Sequence, residues 1–199
     1  MDSDLDLPLV RALQGGDDRA LNELMARHKE GVHRFLYRCV GREEEAGELA
    51  QECFVRVYFR IGQFRPTARF STWLYQIALN LARDYLRSRR HRQERLTSPL
   101  AAGANGEPGE SGEERELPAP GADPAGNLER QERLDAVRAA IAGLPEPLRE
   151  ALVLTALEEK SHHDAAAILK TSPKTIEMRV YRARKALAER LAPWLSGGL

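Results

Sequence analysis

Cysteine is scarce. The 199-residue chain holds two, Cys39 and Cys53, too few and too far apart for a disulfide scaffold or for the close pairs of a zinc ribbon. They read as reduced thiols. Long apolar runs are missing as well. No stretch approaches the roughly 18 apolar residues of a membrane span. The acidic opening Met1-Asp2-Ser3-Asp4 lacks the apolar segment of a signal peptide. Both absences lead us to expect a cytoplasmic protein with no membrane insertion. Net charge is absent too: 30 Lys+Arg balance 30 Asp+Glu, so total charge announces no nucleic acid. Neither a Gly-rich phosphate loop nor a nucleophile elbow occurs. His28, His33 and Cys39 lie near one another but lack a fourth ligand, and lone His and Cys are usually structural. His162-His163-Asp164 falls at a helix start, where capping accounts for the aspartate. The chain is therefore expected to be no enzyme and to hold no metal and no cofactor. Strand signals fail equally, with no strict alternation and no Asn-Gly hairpin, and no internal repeat stands out.

What is present is an uneven distribution of charge. Residues 1–95 carry 17 Lys+Arg against 14 Asp+Glu, residues 96–127 carry 1 against 6, and residues 128–199 carry 12 against 10. A phosphate backbone meets such local fields, not the total. The acidic stretch 96–127 also holds 6 Gly and 5 Pro and no aromatic residue. It cannot bury enough apolar surface to offset the entropy of ordering it. It reads as a flexible acidic linker between two modules, 1–95 and 128–199, and the fold class as all-α.

In the C-terminal module Leu134, Val137, Ile141 and Leu144 recur at helical spacing until Pro145 and Pro147 interrupt. A helix with Leu148, Leu152 and Leu154 follows. Ser161 and Asp164 then form a variant capping box for a short helix with Ala165, Ala166, Ile168 and Leu169. Lys170-Thr171 turns the chain, and Ser172-Pro173 starts the last helix with an N-cap and a proline at its first position. Ile176, Val180, Ala183 and Leu187 make one buried stripe. From 170 to 190 there are 7 basic residues and 2 acids. A short helix, a tight turn and a basic helix constitute a helix-turn-helix. Its second helix would enter the major groove, where Arg179, Arg182 and Arg184 neutralise phosphates or read guanine. Glu177 either accepts from cytosine N4 or pairs within the helix, for instance with Arg184.

In the N-terminal module Glu43-Glu44-Glu45 and Glu48 precede Leu49, Cys53, Phe54, Val57 and Tyr58, a helix with an acidic first turn. Gly62 to Thr67 breaks the pattern. Ser71 is expected to cap a long helix with Trp73, Leu74, Ile77, Ala78, Leu81 and Tyr85, ending in a run of arginines. Phe64, Arg65, Arg69, Phe70, Trp73 and Tyr75 mix aromatics with bases, as unstacked single-stranded bases require, although some of these rings must fill a small core.

Glu48 through Phe54, Phe70 through Asn80, and Arg87-Ser88-Arg89-Arg90 resemble conserved region 2 of bacterial sigma factors. Leu144-Pro145 through Arg149-Glu150, then Thr175 through Arg184, resemble region 4. The layout of two helical domains without an ordered middle one is similar to the extracytoplasmic-function (ECF) group. That resemblance implies a factor that binds core RNA polymerase and directs promoter recognition, melting and initiation at a signal-responsive regulon. It implies that Glu48, Leu49, Gln51, Glu52, Phe54 and Val55 dock on the β′ clamp helices, while the β flap is a further contact. Phe64, Arg65, Phe70, Trp73, Tyr75 and Asn80 would open and read the −10 element, and Arg83, Arg87 and Arg90 would hold its backbone. Lys174, Thr175, Glu177, Met178, Arg179, Tyr181, Arg182 and Lys185 would read the −35 element. The linker would run through the polymerase's RNA path, and an anti-sigma factor would be a partner. Lys170 and Lys174 stand where the family often has glycine. Two other readings predict different behaviour. A stand-alone helix-turn-helix regulator would footprint DNA without polymerase, usually at paired half-sites. A protein-interaction module would survive loss of Arg179 and Arg182.

Overall fold

A computed structural model describes residues 4–97 and 124–196, and among these every regular element is helical. Helix α1 spans Leu7–Gln14, with Pro8 in its first turn, where a missing N–H costs nothing. Helix α2 spans Arg19–Val40, burying Leu24, Val32, Phe35, Leu36 and Cys39, and stops at Gly41, whose φ of 77° suits glycine. Helix α3 spans Glu43–Arg60, with three glutamates in its first turn and Ala46, Ala50, Cys53 and Val57 facing inward. A 3-10 turn, Ile61–Gln63, leads to the loop 64–69 and to α4, Phe70–Thr97. Ser71 does not cap α4, contrary to the expectation from sequence. The helix begins one residue earlier, and its first N–H, from Phe70, is accepted at 2.6 Å by Asp4. A cap supplied from 66 residues upstream leaves no local trace in the sequence.

Beyond residue 123 come α5, Pro124–Ala142, and α6, Glu146–Leu152. A π-helical turn, Val153–Leu157, continues α6. Helices α7, His162–Leu169, and α8, Pro173–Ser196, complete the chain. The stretch read as a linker, 96–127, lies largely outside the described residues. Its two ends are helical, because α4 continues to Thr97 and α5 opens at Pro124, a residue suited to a first turn. The stripe on α8 holds for Ile176, Val180 and Ala183, which are buried, while Leu187 is half-buried beside Leu144 and Leu152. Leu134 and Val137 are exposed despite their helical spacing.

The two modules are closed on one another. Ala151, Leu154, Ala165, Ile168, Ile176 and Val180 belong to the same apolar core as Leu36, Leu74 and Ile77. Alanines on α7 let it lie close to α4, where Gln76 Nε2 donates to the Ala167 carbonyl at 2.9 Å. Gly31 on α2 serves the same closure. A Cβ there would sit 3.0 Å from the Tyr75 hydroxyl, which donates to Glu158 at 3.2 Å.

Candidate polymerase and nucleic-acid interfaces

Helical spacing on α3 brings Glu48, Glu52, Val55 and Phe59 into one outward stripe, with Gln51 exposed beside it. Glu52 is steadied by Arg56 at 2.8 Å. Phe59 is 76% exposed and stacks edge-on with Tyr58, their rings 5.5 Å apart. Two exposed neighbouring aromatics make this face a candidate contact surface. Phe54 corrects the sequence reading: it is only 3% exposed and belongs to the core. Leu49 is half-buried. Phe59, which the motif reading left out, takes the place of Phe54 on the outer face. Its position seven residues beyond Glu52 was the available signal.

The aromatics of the 64–80 segment separate into two groups. Phe64, Phe70 and Trp73 form a cluster with centroids 5.4 to 6.1 Å apart, and His28 lies 5.6 Å from Phe70. Phe64 and Phe70 are buried, so only the half-buried Trp73 offers a ring edge to a base. Tyr75 is buried against Phe35 on the side facing the C-terminal module. Burial, with Glu158 close by, pushes its hydroxyl well above the usual tyrosine range. Phe64, Phe70 and Tyr75 therefore support the surface and are not themselves its open faces. Arg65, Asn80, Arg87 and Arg90 are exposed, and Arg87 stands 3.8 Å from Asp84.

Arg83 is committed to the other module. Its Nε and Nη2 each donate at 2.7 Å to the two oxygens of Glu150, a bidentate pair, and Glu146 stands 3.6 Å away. The hydrogen bond to Glu150 pushes the guanidinium pKa further up. Glu150 is 4% exposed, so this arginine is what compensates its charge. A second tie comes from the end of the π-helical turn, where the Leu157 carbonyl and Glu158 face the other module. Arg38 donates to that carbonyl at 2.7 Å and also pairs with Glu158, while Lys160 sits 4.4 Å over the Tyr75 ring. The sequence reading gave Glu158 no role and named Glu150 only as part of a motif.

On the helix-turn-helix the caps fall as expected. Ser161 Oγ accepts the Asp164 N–H at 3.0 Å, and Ser172 Oγ accepts that of Thr175 at 3.1 Å. Lys170 takes the left-handed conformation, with φ 51° and ψ 51°. Lys174, Glu177, Met178, Tyr181, Arg182 and Lys185 are exposed, Tyr181 by 65%, and Thr175 and Arg179 half so. Glu177 pairs with Lys174 at 2.9 Å, not with Arg184, and the lysine holds its carboxyl below the usual range. The histidines weighed as metal ligands have other partners: His28 bonds Asp6 at 2.7 Å and His33 meets Glu43 at 3.1 Å. Burial pushes both thiols, Cys39 and Cys53, up to about 12.

Comparison with known proteins places these surfaces in context. Residues 24–92 match the family model for sigma-70 region 2, and residues 134–187 match that for sigma-70 region 4. The chain is 33% identical to the RNA polymerase sigma-H factor of Pseudomonas aeruginosa, over 96% of its own length and 95% of that protein. It is 31% identical to the ECF RNA polymerase sigma-E factor of Escherichia coli, over 94% and 95%. Its fold matches the structure of CnrH in complex with the cytosolic domain of CnrY, with a TM-score of 0.67 and 26% identity, covering 94% of this chain and 97% of that one.

Proposed function

The chain belongs to the extracytoplasmic-function group of bacterial RNA polymerase sigma factors, and from that membership we propose how its surfaces divide the work of promoter-specific initiation. The stripe of Glu48, Gln51, Glu52, Val55 and Phe59 meets the β′ clamp helices, where the aromatic and the valine supply apolar area and the acids set register. Leu134, Val137 and Trp194, exposed on α5 and α8, face the β flap. Loop 64–69 and Trp73 read the opened −10 element, Asn80 lies beside them, and Arg87 and Arg90 hold the backbone. Helix α8 reads the −35 element through Lys174, Glu177, Met178, Tyr181, Arg182 and Lys185, and Thr175 and Arg179 line its edge. The chain is no enzyme, since the polymerase makes the RNA.

The observation that carries this division is the outer face of α8. Its basic and aromatic side chains project outward from a helix that begins at a serine cap after a left-handed turn. Arg83 cannot hold promoter phosphates while Glu150 holds it, so the modules part before DNA is engaged through it. The acidic 96–127 stretch is long enough to permit that and to occupy the polymerase's RNA path. CnrH carries a bound protein domain, and an anti-sigma factor acting in the cytoplasm on this chain is the corresponding partner.

Transcription reconstituted from core polymerase and a promoter library tests the assignment. New start sites are expected only when the chain is added, and Glu177→Lys should change the preferred −35 base. Failure of the chain to co-migrate with core polymerase overturns the proposal.

A further inference from the structure

The loop assigned to the −10 element is fastened at both ends by the segment that precedes α2. Gln14, the last residue of α1, donates from Nε2 to the Ile61 carbonyl at 2.8 Å and to the Phe64 carbonyl at 3.3 Å. Asp4 accepts the Phe70 N–H at 2.6 Å. The entry and the exit of the loop are thus tied to one short element. That element is itself anchored by a buried carboxylate. Asp6, 7% exposed, pairs with Arg27 at 3.1 Å and with His28 at 2.7 Å. Its own N–H donates to Asp4 Oδ1 at 3.1 Å, which turns the other oxygen of Asp4 toward Phe70.

We propose that Asp4 and Gln14 are positioning residues that fix the shape of loop 64–69 and thereby set how sharply the protein discriminates −10 sequences. The proposal rests on that loop's assignment to the −10 element. Residues 65–69 are exposed between the two fastenings. An exposed loop left free samples many backbone conformations, whereas reading base edges needs donors and acceptors held to a fraction of an ångström. The fastenings act on backbone groups, so they constrain the loop whatever its side chains are. The Asp4 carboxylate also stands at the positive end of the α4 dipole, an attraction that adds to the hydrogen bond.

The test uses holoenzyme reconstituted from core polymerase and full-length chain, transcribing a promoter library randomised across the −10 element. With wild-type protein a single wrong base is expected to lower output roughly tenfold. Gln14→Leu, which removes the donor from an exposed position, and Asp4→Ala should each narrow that ratio to about threefold or less, on the same scale. Core affinity and the −35 preference should stay as they were. Asp4→Asn keeps one acceptor oxygen for the Phe70 N–H but loses the one that takes the Asp6 N–H, so it should recover the wild-type profile only in part. A purely structural role would lower output at every promoter by one factor and leave the −10 profile intact, and that result overturns the proposal. Arg65→Ala separates the two layers. A profile that responds to Arg65→Ala but not to Gln14→Leu or Asp4→Ala sinks the latch alone. One that responds to none of them sinks the loop's assignment and the latch with it.

Discussion

Lys170 occupies a backbone conformation that L side chains avoid, at the C-cap of α7 where the chain turns into α8. Glycine adopts it without the Cβ penalty, which is about 1 kcal/mol. Lys170→Gly should therefore raise stability by up to about 1 kcal/mol, less the extra entropy of glycine in the unfolded chain, as read from urea unfolding. The sequence marks the spot, since Lys170 falls between the capped short helix and the Ser172-Pro173 start of the next. It does not say whether the turn keeps its left-handed form, and it does. The two thiols lead to a second expectation. With both pushed up to about 12 by burial, almost no thiolate exists at pH 8 in the folded chain. Alkylation by iodoacetamide at that pH should be far slower than in urea and should accelerate only as pH climbs toward 12. Rapid native labelling would mean that the core opens readily.

Among elements, the two caps of the helix-turn-helix were legible and the long-range ties were not. Ser161 and Ser172 announce α7 and α8 because a cap bonds three residues ahead, within the span a local pattern covers. Ser172→Ala should cost about 1 kcal/mol and loosen the start of α8, seen as a lower melting temperature and weaker −35 discrimination. The buried stripe of α8 was legible for the same reason, being periodic. Phe54, Phe64, Phe70 and Tyr75 were not, because a ring on an amphipathic helix looks the same in sequence whether it faces the core or a ligand. The cap of α4 comes from Asp4, and the π-helical turn at Val153–Leu157 has no composition of its own. The tie made at its end by the Leu157 carbonyl and Glu158 depends on Arg38 lying opposite. That pairing spans about 120 residues and no local pattern contains it.

For the whole molecule, composition and the acidic stretch announced two modules but not that they would share a core. Closure rests on apolar area plus a few charge-assisted bonds, among them Arg83 with Glu150 and Arg38 with Glu158, both with buried carboxylates. Glu150→Gln should weaken closure by about 1–2 kcal/mol, a figure that allows for the partial exposure of Arg83. The expected result is a larger radius of gyration in X-ray solution scattering and tighter binding to core polymerase. An unchanged radius and affinity would show that the pair is incidental. The same contact implies a proportionality. If only an open fraction of molecules is competent, the measured dissociation constant equals the intrinsic one divided by that fraction. Each 1.4 kcal/mol or so by which Glu150, Glu158 and the shared alanines favour the shut form then raises the cellular concentration needed for half-occupancy of polymerase about tenfold. The threshold at which the regulon switches on is in this sense encoded in residues outside the proposed promoter and polymerase surfaces.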